Sequence, residues 1–113
     1  MNKIVEHSIA IAEVKNHDGT TKVRPIYVLE YDGERVRFLS ITSQYASKSE
    51  AMQKVYFVIQ DWSEAGLDKP SYIDVYKSYI ISDNKIIIDY IGELSELDEE
   101  RLWQFIKKQG FFC

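Results

Sequence analysis

Cysteine is almost absent from this chain of 113 residues, which has one, Cys113. No internal disulfide is possible, so packing and hydrogen bonds must hold the fold, and a reducing cytoplasm is the expected compartment. Histidine is scarce too. His7 and His17 stand at no metal-ligand spacing from each other or from Cys113, so no metal site and no cofactor are expected. Long apolar runs are missing. Stretches such as Ile86 to Ile88 are strand-sized, far short of the roughly 18 residues that cross a bilayer, and no membrane partner is expected. No apolar segment follows Lys3, Glu6 and His7, so no signal peptide is read there. The five glycines form no phosphate-binding loop, and no nucleophile elbow occurs. Excess positive charge is lacking as well, the net being −4. The acid is unevenly placed. Up to Val58 there are eight Lys/Arg and seven Asp/Glu, and from Ile59 onward six against eleven. A nucleic acid would have to meet a surface built from the first half, while the second half would repel it or attract a basic partner.

What is present is a normal globular composition, with 45% hydrophobic residues, in a length that fits one domain spanning residues 1–113. There are no internal repeats. Strands are expected at Ile9 to Val14, Lys22 to Tyr31 and Arg35 to Thr42, joined by turns at Asp18-Gly19 and Asp32-Gly33. Ser47 to Gln53 reads as either a short helix or a loop. Val55 to Gln60 is β-branched and aromatic, a fourth strand. Asp61 to Pro70 is a loop with one helical turn near Ser63 to Gly66. Ser71 to Lys77 alternates, with Tyr72, Asp74 and Tyr76 on a solvated face and Ile73 and Val75 inward. Asp83-Asn84 turns the chain into a last strand, Lys85 to Ile91. A C-terminal helix follows, capped by Ser95 or Asp98, with a staple of Leu97 and Leu102 around Asp98. Its acids come first, Lys107 and Lys108 last and Gly110 beyond, and Leu102, Phe105 and Ile106 form the stripe that packs on the sheet. The expected fold class is mainly β with one C-terminal α-helix, a bent sheet or partly closed barrel.

The residue with most chemical content is Arg24, in Lys22-Val23-Arg24-Pro25. Proline disfavours the α region for the residue before it, so Arg24 is extended, and Pro25 belongs at a strand start or edge. A guanidinium offers five donors in a fixed fork that fits phosphate oxygens. Equally, such an arginine can be a surface residue paired with a carboxylate. In a three-stranded meander, the end of the third strand lies beside the start of the second. Thr42 and Ser43, in Ser40-Ile41-Thr42-Ser43-Gln44-Tyr45, are therefore expected near Arg24. They can form a phosphate cradle or simply satisfy turn backbone. His17 and Asp18 are candidates for a base or for turn formation, and His7 has no evident role. Tyr45 and Trp62 are candidates for base stacking. Tyr72, Tyr76 and Tyr79 are candidates for a dimer or partner surface.

Arg24-Pro25-Ile26-Tyr27-Val28-Leu29, Ile41-Thr42-Ser43, Gly66-Leu67-Asp68-Lys69-Pro70-Ser71 and Ile91-Gly92-Glu93-Leu94-Ser95 occur in that order ahead of the terminal helix. With these motifs, over roughly residues 9 to 109, the chain resembles the MazF/PemK toxins of type II toxin–antitoxin systems. The resemblance implies a small SH3-like barrel of the MazF/PemK/CcdB type. It also implies metal-independent, sequence-preferring cleavage of single-stranded mRNA to a 2′,3′-cyclic phosphate, a homodimer, and a cognate antitoxin that blocks the RNA groove. It places the catalytic arginine on Arg24 and the catalytic threonine on Thr42. Ser43, Gln44, Lys22, Lys77 and Tyr45 become candidate RNA-binding residues. The Lys15 to Thr21 loop is shorter than the family's first loop, so no particular cleavage sequence is implied. Two other readings share the fold: a CcdB-like gyrase poison acting through the apolar tail Gly110-Phe111-Phe112-Cys113, and a non-catalytic protein that binds an antitoxin or regulates transcription. Arg24 and Thr42 suit stabilisation of a phosphorane, but arginine does not readily give up a proton, and the sequence identifies no base.

Overall fold

The computed structural model describes residues 4–15 and 18–110. His17 and residues 111–113 of the apolar tail lie outside the described residues. The elements are β1 (Ser8–Lys15), β2 (Thr21–Tyr31), β3 (Arg35–Thr42), α1 (Glu50–Gln53), β4 (Tyr56–Ile59), β5 (Ser71–Ser82), a 3-10 turn (Asp83–Lys85), β6 (Ile86–Glu93) and α2 (Glu96–Gln109). All strand pairs are antiparallel, in the order β4-β5-β3-β2-β1-β6. The fold is therefore mainly β, a six-stranded antiparallel sheet with one C-terminal helix. The sheet does not close, since β4 and β6 are its edges.

Strand alternation divides the apolar residues between two faces. One face packs Ile9, Tyr27, Leu39, Ile41, Phe57 and Ile73 against Leu102 and Ile106 of α2. The opposite face gathers Ala10, Ala12, Ile26, Val28, Phe38 and Ile88 into a second core. In each hairpin a turn carboxylate restrains the backbone. Asp32 accepts from the amides of Glu34 (2.9 Å) and Arg35 (2.7 Å), and Gly33 takes φ +93°. Asp18 accepts from the Thr20 amide and hydroxyl.

Two expectations change. The fifth strand does not stop at Lys77 but runs to Ser82, through a bulge. Five residue steps along β5, from Ser78 to Ile73, match two along β3, from Leu39 to Ile41, and the surplus bends the strand. The helix is capped by Ser95, whose hydroxyl accepts from the Asp98 amide (3.1 Å). The Leu97–Leu102 staple does not form: Leu97 is 60% exposed, and Leu94 takes the buried position before the cap. Asp98 is unavailable as a cap because its carboxylate is fully buried. It accepts from the Gln60 and Asp61 amides and from Arg101, tying the loop after β4 to the helix start. Ser95 adds a 2.6 Å bond to the Asp61 carboxylate. The expected stop at Gly110 is present, in the left-handed conformation.

That loop is held from a second side by close backbone contact. A Cβ on Gly92 would lie 2.4 Å from the Ala65 carbonyl oxygen, and one on Gly66 would lie 2.5 Å from that of Ile91. Gly92 sits beside a register shift between β1 and β6, and Gly66 has φ +88°. Both positions need glycine, one for space and the other for space and conformation. The pairing fixes the segment Gly66 to Lys69, which walls a cavity of about 710 Å³.

Candidate active site

The cavity is about 710 Å³ and open to solvent, and its lining joins Arg24, Ser40 and Thr42 to Ile41, Leu67 and Ile91 from the rim of the helix-side core. Arg24 is half-buried at its edge. Its neighbour Pro25 pairs with Ile11 of β1, and Arg24 with Ala12. The guanidinium Nη1 donates to the Ser40 hydroxyl at 3.5 Å. Ile26 pairs with Ser40 across β2 and β3, and two residues beyond that pair along each strand lie Arg24 and Thr42. Period-two alternation puts Arg24, Ser40 and Thr42 on one face. The ion pairs among the described residues join His7 to Glu99, Arg37 to Glu30 and Arg101 to Asp98. Among the described residues, then, no carboxylate lies within ion-pair distance of Arg24, and its charge faces a cavity rather than a structural partner.

Thr42, Ser43 and Gln44 line the same space. The Thr42 hydroxyl accepts from the Gln44 amide (3.1 Å), which fixes the oxygen while its own proton stays free to be donated. Tyr45 is not part of the lining. It stacks on Tyr72 with centroids 4.5 Å apart and planes at 16°, and Tyr72 pairs with Thr42, so the aromatic pair flanks the cavity. Lys22 borders a neighbouring apolar depression of about 240 Å³ that shares Arg24, Ser40 and Tyr79 with the first. Lys77 lies outside both linings, its ammonium 5.1 Å from the Tyr79 ring centroid.

The other aromatic and loop candidates lie elsewhere. Trp62 is not exposed for stacking but packs on the helix-side core. Tyr79 stacks on Phe38 at 5.5 Å. Asp18 is engaged by Thr20, whose hydroxyl is the first cause holding its carboxyl below the ordinary range. His7 has φ +64° and lies on the helix side, stacked on Tyr27 and tilted against Trp103. There Glu99 accepts from the Tyr27 hydroxyl (2.6 Å) and the Trp103 indole (3.0 Å). Burial, then the Glu99 carboxylate, pushes the Tyr27 phenol far above its ordinary range.

The structure also adds residues to which the sequence assigned no role at this site. Lys48 and Lys69 join Arg24 in the lining, against two carboxylates, Asp68 and Asp74, and Tyr56 and Tyr79 contribute phenols. Asp74 and Tyr56 form a directly opposed pair between β5 and β4. Desolvation, with the nearby Asp74 carboxylate next, raises the Tyr56 phenol above its ordinary value and keeps it protonated. The alternation of Ser71 to Lys77 was a signal for which face Asp74 occupies, but nothing in the sequence set that face against Arg24.

The chain matches no protein-family model and no curated protein. Among the described residues, no group of three or more His, Cys, Asp or Glu side chains is arranged to hold a metal, and no helix is long and apolar enough to cross a membrane.

The cavity thus combines a fixed guanidinium, two ammonium groups, hydroxyls and an aromatic flank. Charge-assisted hydrogen bonds from such cations and hydroxyls suit an anionic oxygen, and the two carboxylates, Asp68 and Asp74, share the lining.

Proposed function

We propose that this chain is a metal-independent endoribonuclease toxin that cleaves single-stranded mRNA, works as a homodimer in the cytoplasm and is neutralised by a cognate antitoxin. The resemblance to MazF/PemK toxins supplies that expectation, together with an SH3-like barrel as the finer description of the bent sheet. The observation that carries the reading is Arg24. It lines the cavity of about 710 Å³ beside Ser40 and Thr42, and among the described residues no carboxylate pairs with it. With Ser40 as its one side-chain acceptor among the described residues, the Arg24 fork keeps most of its donors for an anion.

In the reaction, the RNA 2′-oxygen attacks the adjacent phosphorus, charge accumulates on the phosphorane oxygens, and the 5′-oxygen leaves. Arg24 and the Thr42 hydroxyl aim donors at that charge, and Lys48 and Lys69 add positive potential around it. Ser43 and Gln44 position the ribose and backbone at the cavity mouth. Tyr45 stacked on Tyr72 offers a flat surface to a neighbouring base. Lys22 and Lys77 hold flanking phosphates. Purified protein incubated with single-stranded RNA in EDTA is expected to leave 2′,3′-cyclic phosphate and 5′-hydroxyl ends. Intact RNA after prolonged incubation with folded protein contradicts the reading.

A further inference from the structure

We propose that Asp74 and Tyr56 are the general base and general acid of the Arg24 cavity, an inference that rests on the ribonuclease reading above. Two tasks in that reaction are left over once the cations and hydroxyls are assigned: removing the 2′-OH proton and protonating the 5′-oxygen. Arginine is too basic for the first. His7 stands on the other side of the sheet against Glu99 and Trp103. Asp68 is exposed, and no hydrogen bond among the described residues orients its carboxylate.

Asp74 differs on each count. It is half-buried and lines the cavity with Arg24 and Thr42. Its strand is paired with β4 at this point, with Tyr56 opposite Asp74, and the pairing with β3 reaches Ile73, opposite Ile41, one residue before it. The carboxylate is oriented by accepting the Tyr76 amide on Oδ1 at 2.9 Å. Among the described residues Oδ2 has no partner, and no cation lies within ion-pair distance of the group. The β5 bulge starts here, and bulges re-aim side chains beside active sites. Tyr56 shares the face, since directly opposed antiparallel residues have Cβ atoms about 4.5–5.5 Å apart. The residue is only 7% exposed, yet its hydroxyl has no hydrogen-bond partner among the described residues and is not sealed from solvent. A protonated phenol and a carboxylate with a free oxygen, on opposed residues lining one cavity, form an acid–base couple.

The proton balance closes within the pair. The Asp74 carboxylate takes the 2′-OH proton as the 2′-oxygen bonds to phosphorus. The bond from phosphorus to the 5′-oxygen breaks, and the leaving oxygen takes the Tyr56 phenolic proton. The products are a cyclic phosphate and a 5′-hydroxyl. The Asp74 proton then returns to the Tyr56 phenolate, directly or through water, restoring both groups.

The test compares wild type, Asp74→Asn, Asp74→Glu, Tyr56→Phe and Arg24→Ala on a single-stranded RNA oligonucleotide, with melting curves to establish that each is folded. Asp74→Asn is expected to lower kcat by about 10²–10⁴-fold with little change in KM and to remove the acid limb of the pH–rate profile. Asp74→Glu restores part of the rate and that limb. Tyr56→Phe is expected to lose about 10²-fold on normal RNA but to cut a substrate with a 5′-bridging sulfur at near the wild-type rate, because a thiolate leaves without a proton. Asp74→Asn gains no such rescue. If wild type cuts and Arg24→Ala does not, while Asp74→Asn and Tyr56→Phe keep wild-type rates and pH profile, this assignment is wrong and the ribonuclease reading stands. If Tyr56→Phe is slow on both substrates, Tyr56 is not the acid. If wild type leaves the RNA intact, both fall together.

Discussion

At the scale of single residues, Arg24 shows how backbone chemistry prepares a side chain for use. Pro25 fixes the residue before it in extended geometry, and the paired strand holds its backbone there, so the side chain leaves the strand at a set point and direction. Thr42 is prepared differently. Its oxygen is already engaged by the Gln44 amide, so the hydroxyl proton has one remaining direction in which to act. Thr42→Val keeps the shape, removes the donor and frees the turn amide. It is expected to lower RNA cleavage by about 10²-fold, while Thr42→Ser retains most of the rate, as measured by initial velocities at saturating RNA. Arg24 and Thr42 were both legible as residues, the first from the dipeptide and the second from the hydroxyl cluster. Asp74 and Tyr56 were not, because their relation to Arg24 depends on pairing between distant segments.

At the scale of elements, the site is walled by the loop between β4 and β5, and that loop is held by backbone contact at Gly66 and Gly92 as well as by the Asp98 and Ser95 side chains. Gly92→Ala places a methyl group 2.4 Å from a carbonyl oxygen, which the rigid backbone cannot avoid. The expected cost is roughly 1–3 kcal/mol in denaturant unfolding, with reduced cleavage because Leu67, Asp68 and Lys69 shift with Gly66. Wild-type stability in Gly92→Ala would show that the contact is not rigid. The first three strands were readable to within one residue, since alternation and Asp-Gly turns mark them locally. The bulge in β5 hid the second half of that strand. Alternation breaks at Tyr76-Lys77-Ser78, where the chain changes phase, and the pairing that restores it involves Arg35 to Leu39 far away. The helix cap was ambiguous because Ser95 and Asp98 are both good caps. Only the tertiary demand of the Gln60 and Asp61 amides decides between them.

At the scale of the whole molecule, an acidic chain presents a cationic cavity by drawing it from both halves. Arg24 and Lys48 come from the balanced first half and Lys69 from the acidic second. If these three cations, with Lys22 and Lys77, each neutralise a phosphate, the logarithm of the RNA association constant falls against that of salt concentration with a slope of about −3.5. Fluorescence anisotropy with an uncleavable 2′-deoxy analogue measures it, and a slope near zero would place the RNA elsewhere.

Stability should be limited by pH on two sides. Hydrogen bonds from Thr20 hold the Asp18 carboxyl, and bonds from Arg35 and Glu34 the Asp32 carboxyl, below the ordinary value of 3.8. Their contribution is present above that value and is lost as pH falls through the lower folded-state values. Tyr27 has the opposite sign. Its phenol is raised by burial and by Glu99, so its contribution is complete below the ordinary value of 10.0 and declines as pH rises beyond it. Melting temperatures are expected to be flat from about pH 5 to 9 and to fall on both sides. A Tyr27→Phe variant should lose the alkaline decline in proportion to this residue's share.

The claim on which the rest depends is that the unpaired guanidinium of Arg24 stabilises charge at a scissile RNA phosphate. The most direct measurement is single-turnover cleavage of one single-stranded RNA in EDTA by wild type, Arg24→Lys and Arg24→Ala, with the ends of the products identified. Wild type should give cyclic-phosphate ends. Arg24→Ala should be slower by about 10²–10³-fold, and Arg24→Lys only partly restored, because an ammonium lacks the two-pronged donor geometry. Equal rates for the three proteins would contradict the claim.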